Sequence, residues 1–213
     1  MKSDLMRLLR PRSIAVVGGG TWCAQIILQL RRMNFEGRID VVHPRGAVIE
    51  GVQSVSDLCQ LPAPPDAVFI GVNKVATVDF VRSLSAMGAG GAVCFASGFS
   101  EAAAEDEAGV DLQAALVAAA GDMPVLGPNC YGFINALDGA LLWPDQHGCI
   151  AVDRGVAILT QSSNIAINLS MQQRGLPIAY VVACGNMAQT SQASIAAELL
   201  DDPRVTAIGL HIE

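Results

Sequence analysis

Short β-branched and apolar runs alternate with Ala- and Leu-rich stretches along this chain, and few folds accommodate that alternation. Ser13-Ile14-Ala15-Val16-Val17, Ile39-Asp40-Val41-Val42, Ala67-Val68-Phe69-Ile70-Gly71-Val72, Gly91-Ala92-Val93-Cys94-Phe95 and Pro124-Val125-Leu126 read as strands. Helices are expected between them, from about Trp22 to Met33, Val75 to Met87 and Ala103 to Ala120. Repeated strand–helix–strand units build a parallel sheet through right-handed crossovers, with helices on both faces. Residues 1–135 therefore predict a complete Rossmann-like α/β domain.

Residues 136–154 are rich in Gly, Pro and Asp and read as a linker. Beyond it, strands near Val156–Leu159, Ile178–Ala183 and Val205–Ile212 alternate with helices over Ser163–Arg174, closed by Gly175, and over Ser191–Leu200. This second unit, 155–213, is a partial α/β unit whose last parallel strand would leave an unpaired edge. The expectation is that the polypeptide continues, and that the edge self-associates or meets a partner.

Of 213 residues 52% are hydrophobic and 15% charged, against roughly 25% charged in ordinary soluble domains, which suits a sheet buried on both faces. A net charge of −7 argues against nucleic acid or an acidic membrane as partner, so any anion site must be local. No apolar run approaches the ~18 residues of a membrane span. Arg7, Arg10 and Arg12 interrupt what would be the core of a secretory signal, and a cytoplasmic location is expected. The six cysteines form no C-x-x-C pair and read as reduced, mostly packed thiols. His43, His147 and His211 stand too far apart in sequence to suggest a metal site.

The first strand empties into Gly18-Gly19-Gly20 and a helix follows, an arrangement that aims free backbone N–H groups at an anion. A dinucleotide fingerprint needs glycine where Cys23 stands, and an acid at the end of the second strand to hold a ribose diol. That strand ends instead in His43-Pro44-Arg45, where a cation suits an additional phosphate. NAD is disfavoured; NADP and coenzyme A are both compatible.

Four segments follow one another in the order Leu9-Arg10-Pro11-Arg12-Ser13-Ile14-Ala15-Val16-Val17-Gly18, Val42-His43-Pro44-Arg45, Ala96-Ser97-Gly98-Phe99-Ser100-Glu101 and Gly127-Pro128-Asn129-Cys130-Tyr131-Gly132. Together they resemble the CoA-binding domain of the NDP-forming acyl-CoA ligases, the superfamily of the succinyl-CoA synthetase alpha subunit and ADP-forming acetate–CoA ligase. Thr160-Gln161-Ser162-Ser163-Asn164, Gly185-Asn186 and Asp201-Asp202-Pro203 resemble the start of that family's flavodoxin-like domain. The resemblance implies that Gly18, Gly19, Gly20, Thr21, Trp22 and Cys23 take CoA phosphates, with Pro44 and Arg45 serving the nucleotide end. It implies that Val72, Asn73, Ala96, Ser97 and Gly98 flank the carrier and that Asn129 and Cys130 lie near its thiol. Val72-Asn73-Lys74 departs from the family's Val-Pro-Ala at that turn. Cys130 is read as a packed turn thiol in preference to a reactive one, because no cation adjoins it in sequence.

The resemblance further implies a reversible route from carboxylic acid, CoA and ATP to acyl-CoA through an acyl phosphate and a phosphohistidine. Ser162 and Ser163 would open the helix that receives the phosphoryl group, and Glu213 would orient the phosphorylated imidazole. None of the three histidines stands in the Gly/Ala-rich turn expected of the phosphohistidine. ATP or ADP with Mg would sit on an ATP-grasp domain or beta subunit. This chain is thus expected to bind CoA without completing a turnover alone. Two other readings compete with the ligase. A stand-alone CoA- or nucleotide-binding regulatory module would have no need of the second unit. An NAD(P)-dependent oxidoreductase fits poorly with Cys23 and with the absent acid. The acid substrate and the oligomeric state stay open.

Overall fold

The computed structural model describes residues 5–102 and 108–212. The chain runs α1 (Leu5–Leu9), β1 (Ser13–Val17), α2 (Thr21–Arg32), β2 (Arg38–Val42), a small hairpin of β3 (Val48–Ile49) and β4 (Val52–Gln53), β5 (Ala67–Ile70), α3 (Lys74–Met87), β6 (Ala92–Cys94), α4 (Ala108–Ala120) and β7 (Val125–Leu126). The expected Rossmann-like sheet is present: its strands are all parallel, in the order β2-β1-β5-β6-β7. Part of the helix expected from Ala103 falls on residues 103–107, outside the described residues.

Alternation along β1 explains its burial on both faces. Ile14 and Val16 join a core with Ile26, Ile27 and Leu30 of α2. Ala15 and Val17 join a second core with Val78, Val81 and Leu84 of α3. Period-2 strands against period-3.6 helices give this two-sided packing. Asn73 caps α3 by accepting the Ala76 N–H at 3.0 Å, and Gly88 ends it at φ 78°.

A second sheet follows, built from β8 (Gly132–Asn135), β9 (Ala140–Leu142), β10 (Gly155–Thr160), α5 (Ser163–Ser170), β11 (Ile178–Ala183), α6 (Gln192–Leu200) and β12 (Val205–His211). Its order is β12-β10-β11-β8-β9, with β10, β11 and β12 parallel and β8 antiparallel to both β11 and β9. Here the structure departs from the sequence reading. Residues 136–154, expected as a linker, contain β9, and the end of the expected first unit supplies β8. The signal was Asp138-Gly139, a hairpin-turn pair, with Gly139 at φ 67° and Asn135 Oδ1 accepting the Leu137 and Asp138 N–H groups at 3.0 and 3.1 Å.

A second departure is the end of α5, at Ser170 instead of Arg174. Gln172 explains it: its Oε1 accepts the Arg174 N–H at 2.7 Å and its Nε2 donates to the Leu176 carbonyl at 3.0 Å, an alternative to helix continuation. At the far edge, β12 pairs with β10 and leaves Leu210 and Ile212 51% and 76% exposed.

The two units share one core. Ile26, Ile27 and Leu30 of α2 belong to the same buried cluster as Phe133, Leu141, Tyr180 and Val181 of the second sheet. Polar ties reinforce it at the opposite end from the strand tips. Arg204 bridges Asp138 and Asp202 at 2.8 Å each, and Arg10 reaches Asp138 at 3.1 Å. Burial would raise the Asp138 carboxyl, but hydrogen bonds from Arg204 and Asn135 and the Arg10 charge hold it at about 2. No helix among the described residues is long and apolar enough to cross a membrane.

His147 is buried with both ring nitrogens unpartnered. Burial, aided by the charge of Arg32, pushes its pKa down from 6.5 to about 4. The fold therefore holds the neutral ring, and its contribution is intact above pH 6.5 and lost as pH falls toward 4. The loss amounts to at most about 3 kcal/mol. In urea titrations between pH 7 and 4, His147→Met should lose less stability than the wild type; equal pH slopes would contradict this assignment.

Candidate functional site

The turns at the C-terminal ends of β5, β6, β7, β10 and β11 open into one cleft of about 830 Å³. One wall carries Gly71, Val72, Asn73 and Lys74 after β5, Phe95, Ala96 and Ser97 after β6, and Asn129, Cys130 and Tyr131 after β7. The facing wall carries Gln161, Ser162, Ser163 and Asn164 after β10, with Gly185 and Asn186 after β11. Trp22, in the first turn of α2, and Glu101 complete it. In open α/β sheets ligands bind at such carboxyl-end crevices.

Main-chain hydrogen bonds join the two walls. The Asn186 and Ala188 N–H groups donate to the Pro128 and Gly127 carbonyls, both at 3.0 Å. Gly185, at φ 58°, has no room for a Cβ, which would lie 2.6 Å from the Asn129 carbonyl oxygen. Across the same seam the Asn186 amide donates to Glu101 and, at 3.1 Å, to Gln113 Oε1. Glu101 also accepts the Gly98 N–H at 2.6 Å and the Phe99 N–H at 3.3 Å. Burial alone would raise this carboxyl, yet those donors bring it below the ordinary range.

The glycine turn borders the cleft through Trp22. Gly18 is at φ 121°, and a Cβ there would meet the Gly71 carbonyl oxygen at 2.8 Å and Cys23 Sγ at 2.9 Å. That close approach brings the turn after β1 against the turn after β5. Gly20 caps α2 at φ −78°, ψ 178° with no side-chain hydrogen bond, in contrast to α3, α5 and α6, whose caps are Asn73, Ser162 and Ser191. The open first-turn amides of α2, with the helix dipole behind them, can receive an anion. His43 packs over Gly19, and its Nδ1 accepts the Arg45 N–H at 3.3 Å, so the exposed Pro44 and Arg45 loop lies beside this turn.

The candidate residues thus separate into groups. Trp22, Val72, Asn73, Ala96, Ser97, Asn129, Cys130, Ser162 and Ser163 come together in the cleft, while Gly18, Gly19, Gly20, Thr21, Pro44 and Arg45 form the adjoining turn region. Gly98 is not among the lining residues but lies against the side chain of Lys74, which is, and its N–H donates to Glu101. The Asn73 side chain is occupied in capping α3. Ser162 Oγ accepts the Ile165 N–H at 3.4 Å, while its own N–H donates to Thr160 Oγ1 at 3.2 Å. The backbone N–H groups of Ser163 and Asn164 begin α5 without intrahelical partners. Cys23 turns inward, and burial raises its thiol to about 11. Cys130 is 1% exposed and burial drives it well above the ordinary thiol range, so it is a packed turn thiol. His211 ends β12 with Nδ1 3.4 Å from Thr160 Oγ1. Glu213 lies outside the described residues.

Lys74, Phe95, Glu101, Tyr131, Gln161, Asn164, Gly185 and Asn186 also line the cleft and were not among the candidate site residues. Phe95 directly follows β6, a position where ligand-facing residues concentrate, whereas Tyr131 lies five residues beyond β7 and directly before β8.

The CoA binding domain family matches residues 12–136. This chain belongs to that family. The CoA-binding domain is followed by a match to the succinyl-CoA ligase like flavodoxin domain at residues 153–213. A trans-feruloyl-CoA synthase from an unknown prokaryotic organism is 30% identical over 97% of this chain, and an ADP-forming acetate–CoA ligase I of Archaeoglobus fulgidus is 27% identical over 97%. The chain spans 30% of the length of each of these relatives. A dinucleotide-forming acetyl-coenzyme A synthetase 1 of Ca. Korarchaeum cryptofilum, in its apo form, superposes with a TM-score of 0.87 at 25% identity, over 99% of this chain and 46% of that one. The CoA-binding domain is thus similar to the N-terminal part of ADP-forming acyl-CoA ligases.

Of the six cysteines Cys59 alone is exposed. A chromogenic disulfide reagent at pH 8 should modify Cys59 first, with the other five at least about a hundredfold slower until denaturant is added. Rapid labelling of Cys130 in the native protein would contradict its assignment as a packed thiol.

Proposed function

We propose that this chain supplies the coenzyme A site of an ATP-dependent, ADP-forming acid–thiol ligase. The uncapped, glycine-rich start of α2 carries this reading, with the CoA-binding match over the same residues in support. Thr21 and Trp22 would give backbone N–H groups to the carrier's phosphates; Gly18 and Gly19 would let the turn pack against Gly71 and His43, and Gly20, with nothing within 4 Å of a Cβ, would leave room for the ligand. Arg45 on the neighbouring loop would supply positive charge to the nucleotide end. Val72, Asn73, Ala96, Ser97 and Gly98 would flank the pantetheine arm, and Asn129 and Cys130 its far end. When bound, CoA supplies the thiol nucleophile.

Residues 1–135 carry the CoA-binding role in this proposal, and 155–213 the start of the ligase unit. The N-terminus of α5 at Ser162 and Ser163 would stabilise a phosphoryl group through the amides of Ser163 and Asn164, with Glu213 orienting the phosphorylated histidine. That histidine and the ATP-grasp domain or beta subunit, with Mg-bound ATP or ADP, belong to other parts of the enzyme. This chain alone would bind CoA and not turn over. A carboxylic acid would be the co-substrate, a reading supported by relatives named for feruloyl-CoA and acetate. Free thiols in the described structure accord with a cytoplasmic enzyme. Self-association through the exposed β12 edge fits the same picture.

Calorimetric titration with CoA, NAD and NADP tests the reading: CoA binds, and NAD binding without a response to CoA would overturn it. Gly20→Asp is the sharpest variant, since nothing lies within 4 Å of a Cβ there and Asp is a good helix cap. It should fold with unchanged or slightly higher stability. Its carboxylate would occupy the phosphate position and weaken CoA at least about tenfold.

A further inference from the structure

We infer that the acid served by this cleft is an arylcarboxylic acid, its ring lying against a wall formed by Trp22, Phe95 and Tyr131. The inference rests on the CoA reading above and narrows its substrate class. A chain with 2 Trp, 2 Tyr and 6 Phe gathers both tryptophans, one tyrosine and two phenylalanines into one cluster. Trp22 lies 5.4 Å from Phe95 and 6.3 Å from Tyr131 between ring centroids, and Phe95 lies 5.7 Å from Tyr131.

The members differ in what covers them. Phe69 and Trp143 are wholly buried and form the backing, each 5.6 Å from a ring in front. The front rings line the cleft, with Trp22 43% exposed and Phe95 and Tyr131 half-buried. Of the cluster's two tryptophans, Trp143 is turned inward as core packing would have it, whereas Trp22 faces a concave space. Burial and the nearby Asp145 charge raise the Tyr131 hydroxyl above its ordinary range, so it stays neutral beside the ring that lines the cleft. The facing wall of Gln161, Ser162, Ser163 and Asn164 is polar, while on the near wall the three rings form an aromatic patch bordered by Asn73, Lys74, Ser97 and Asn129.

That polarity suits a substrate with a flat apolar end and a carboxyl end. The three front rings are mutually tilted by 41–48°, which presents both faces and edges to an incoming ring. Aromatic pairs in such arrangements gain affinity beyond simple area burial. An acetyl group would leave these rings wet, and the amides of a pantetheine arm find no hydrogen-bond partners on them.

The test compares binding of benzoyl-CoA and acetyl-CoA by titration calorimetry on the full chain, without nucleotide or phosphate so that neither thioester is consumed. In the wild type, benzoyl-CoA should bind at least about tenfold tighter. In Trp22→Leu, and separately in Phe95→Leu, that ratio should fall to threefold or less (about one-third of the wild-type ratio or lower). Circular dichroism verifies the fold of each variant, and the exposure of Trp22 makes its replacement the safer of the two. Equal affinities in the wild type overturn the inference. So does a ratio that both variants preserve, because the rings would then serve the part of CoA common to both ligands. Failure of CoA and both thioesters to bind the wild type is a different result, which removes the CoA reading itself.

Discussion

Two turns, one after β7 and one after β11, are held together by their own main chains: the Asn186 and Ala188 N–H groups meet the carbonyls of Pro128 and Gly127. The geometry of the cleft descends from this contact. It sets the carboxyl ends of two separate sheets facing each other, with the start of α2 on one side and the start of α5 on the other. Backbone pairing of this kind tolerates changes of side chain except at Gly185, where a Cβ would collide with the opposing turn, and at Gly127, where it would lie 2.8 Å from the Cys94 carbonyl oxygen. The Glu101 carboxylate lies over the same seam and collects donors from both units. A carboxylate so well supplied with donors stays ionised and keeps its partners oriented.

Charge is handled locally. The chain carries −7 overall, yet the start of α2 is left without a side-chain cap, while α3, α5 and α6 satisfy theirs with Asn73, Ser162 and Ser191. With glycine as the cap residue, the missing side-chain hydrogen bond costs only about a few tenths of a kcal/mol and leaves the amides open to a ligand. The comparison with α5 is instructive. There the cap is filled by Ser162, and only the amides after it remain for an anion.

The first sheet was legible because each strand is a compact apolar run and each crossover helix has its own apolar stripe, as with Ile14 and Val16 against Ile26, Ile27 and Leu30. The glycine turn was legible for the same reason that glycine is needed there: Gly18 sits at φ 121° under the Gly71 carbonyl. The β8–β9 hairpin was not, since Gly132-Phe133-Ile134-Asn135 reads equally well as the tail of the preceding turn. Its partner strand β11 lies more than forty residues further along the chain. Long-range antiparallel pairing leaves little trace in local pattern. The aromatic wall was missed because its three rings come from three distant segments, and no spacing rule joins Trp22, Phe95 and Tyr131 before the fold does. The early end of α5 was hidden in one side chain, Gln172, whose hydrogen bonds compete with the helix.

The hairpin of β8 and β9 also bears on how such a protein could be cut and rejoined. It completes the second sheet while following directly on the first, so the seam between homology units near residue 153 is no seam in the physical object. A fusion or exchange made there would leave the downstream piece with Val181 and Val182 stripped of their antiparallel neighbours Ile134 and Phe133. Recombination that keeps a foldable product has to carry residues 132–142 along with the downstream half, and evolutionary shuffling of this module faces the same restriction.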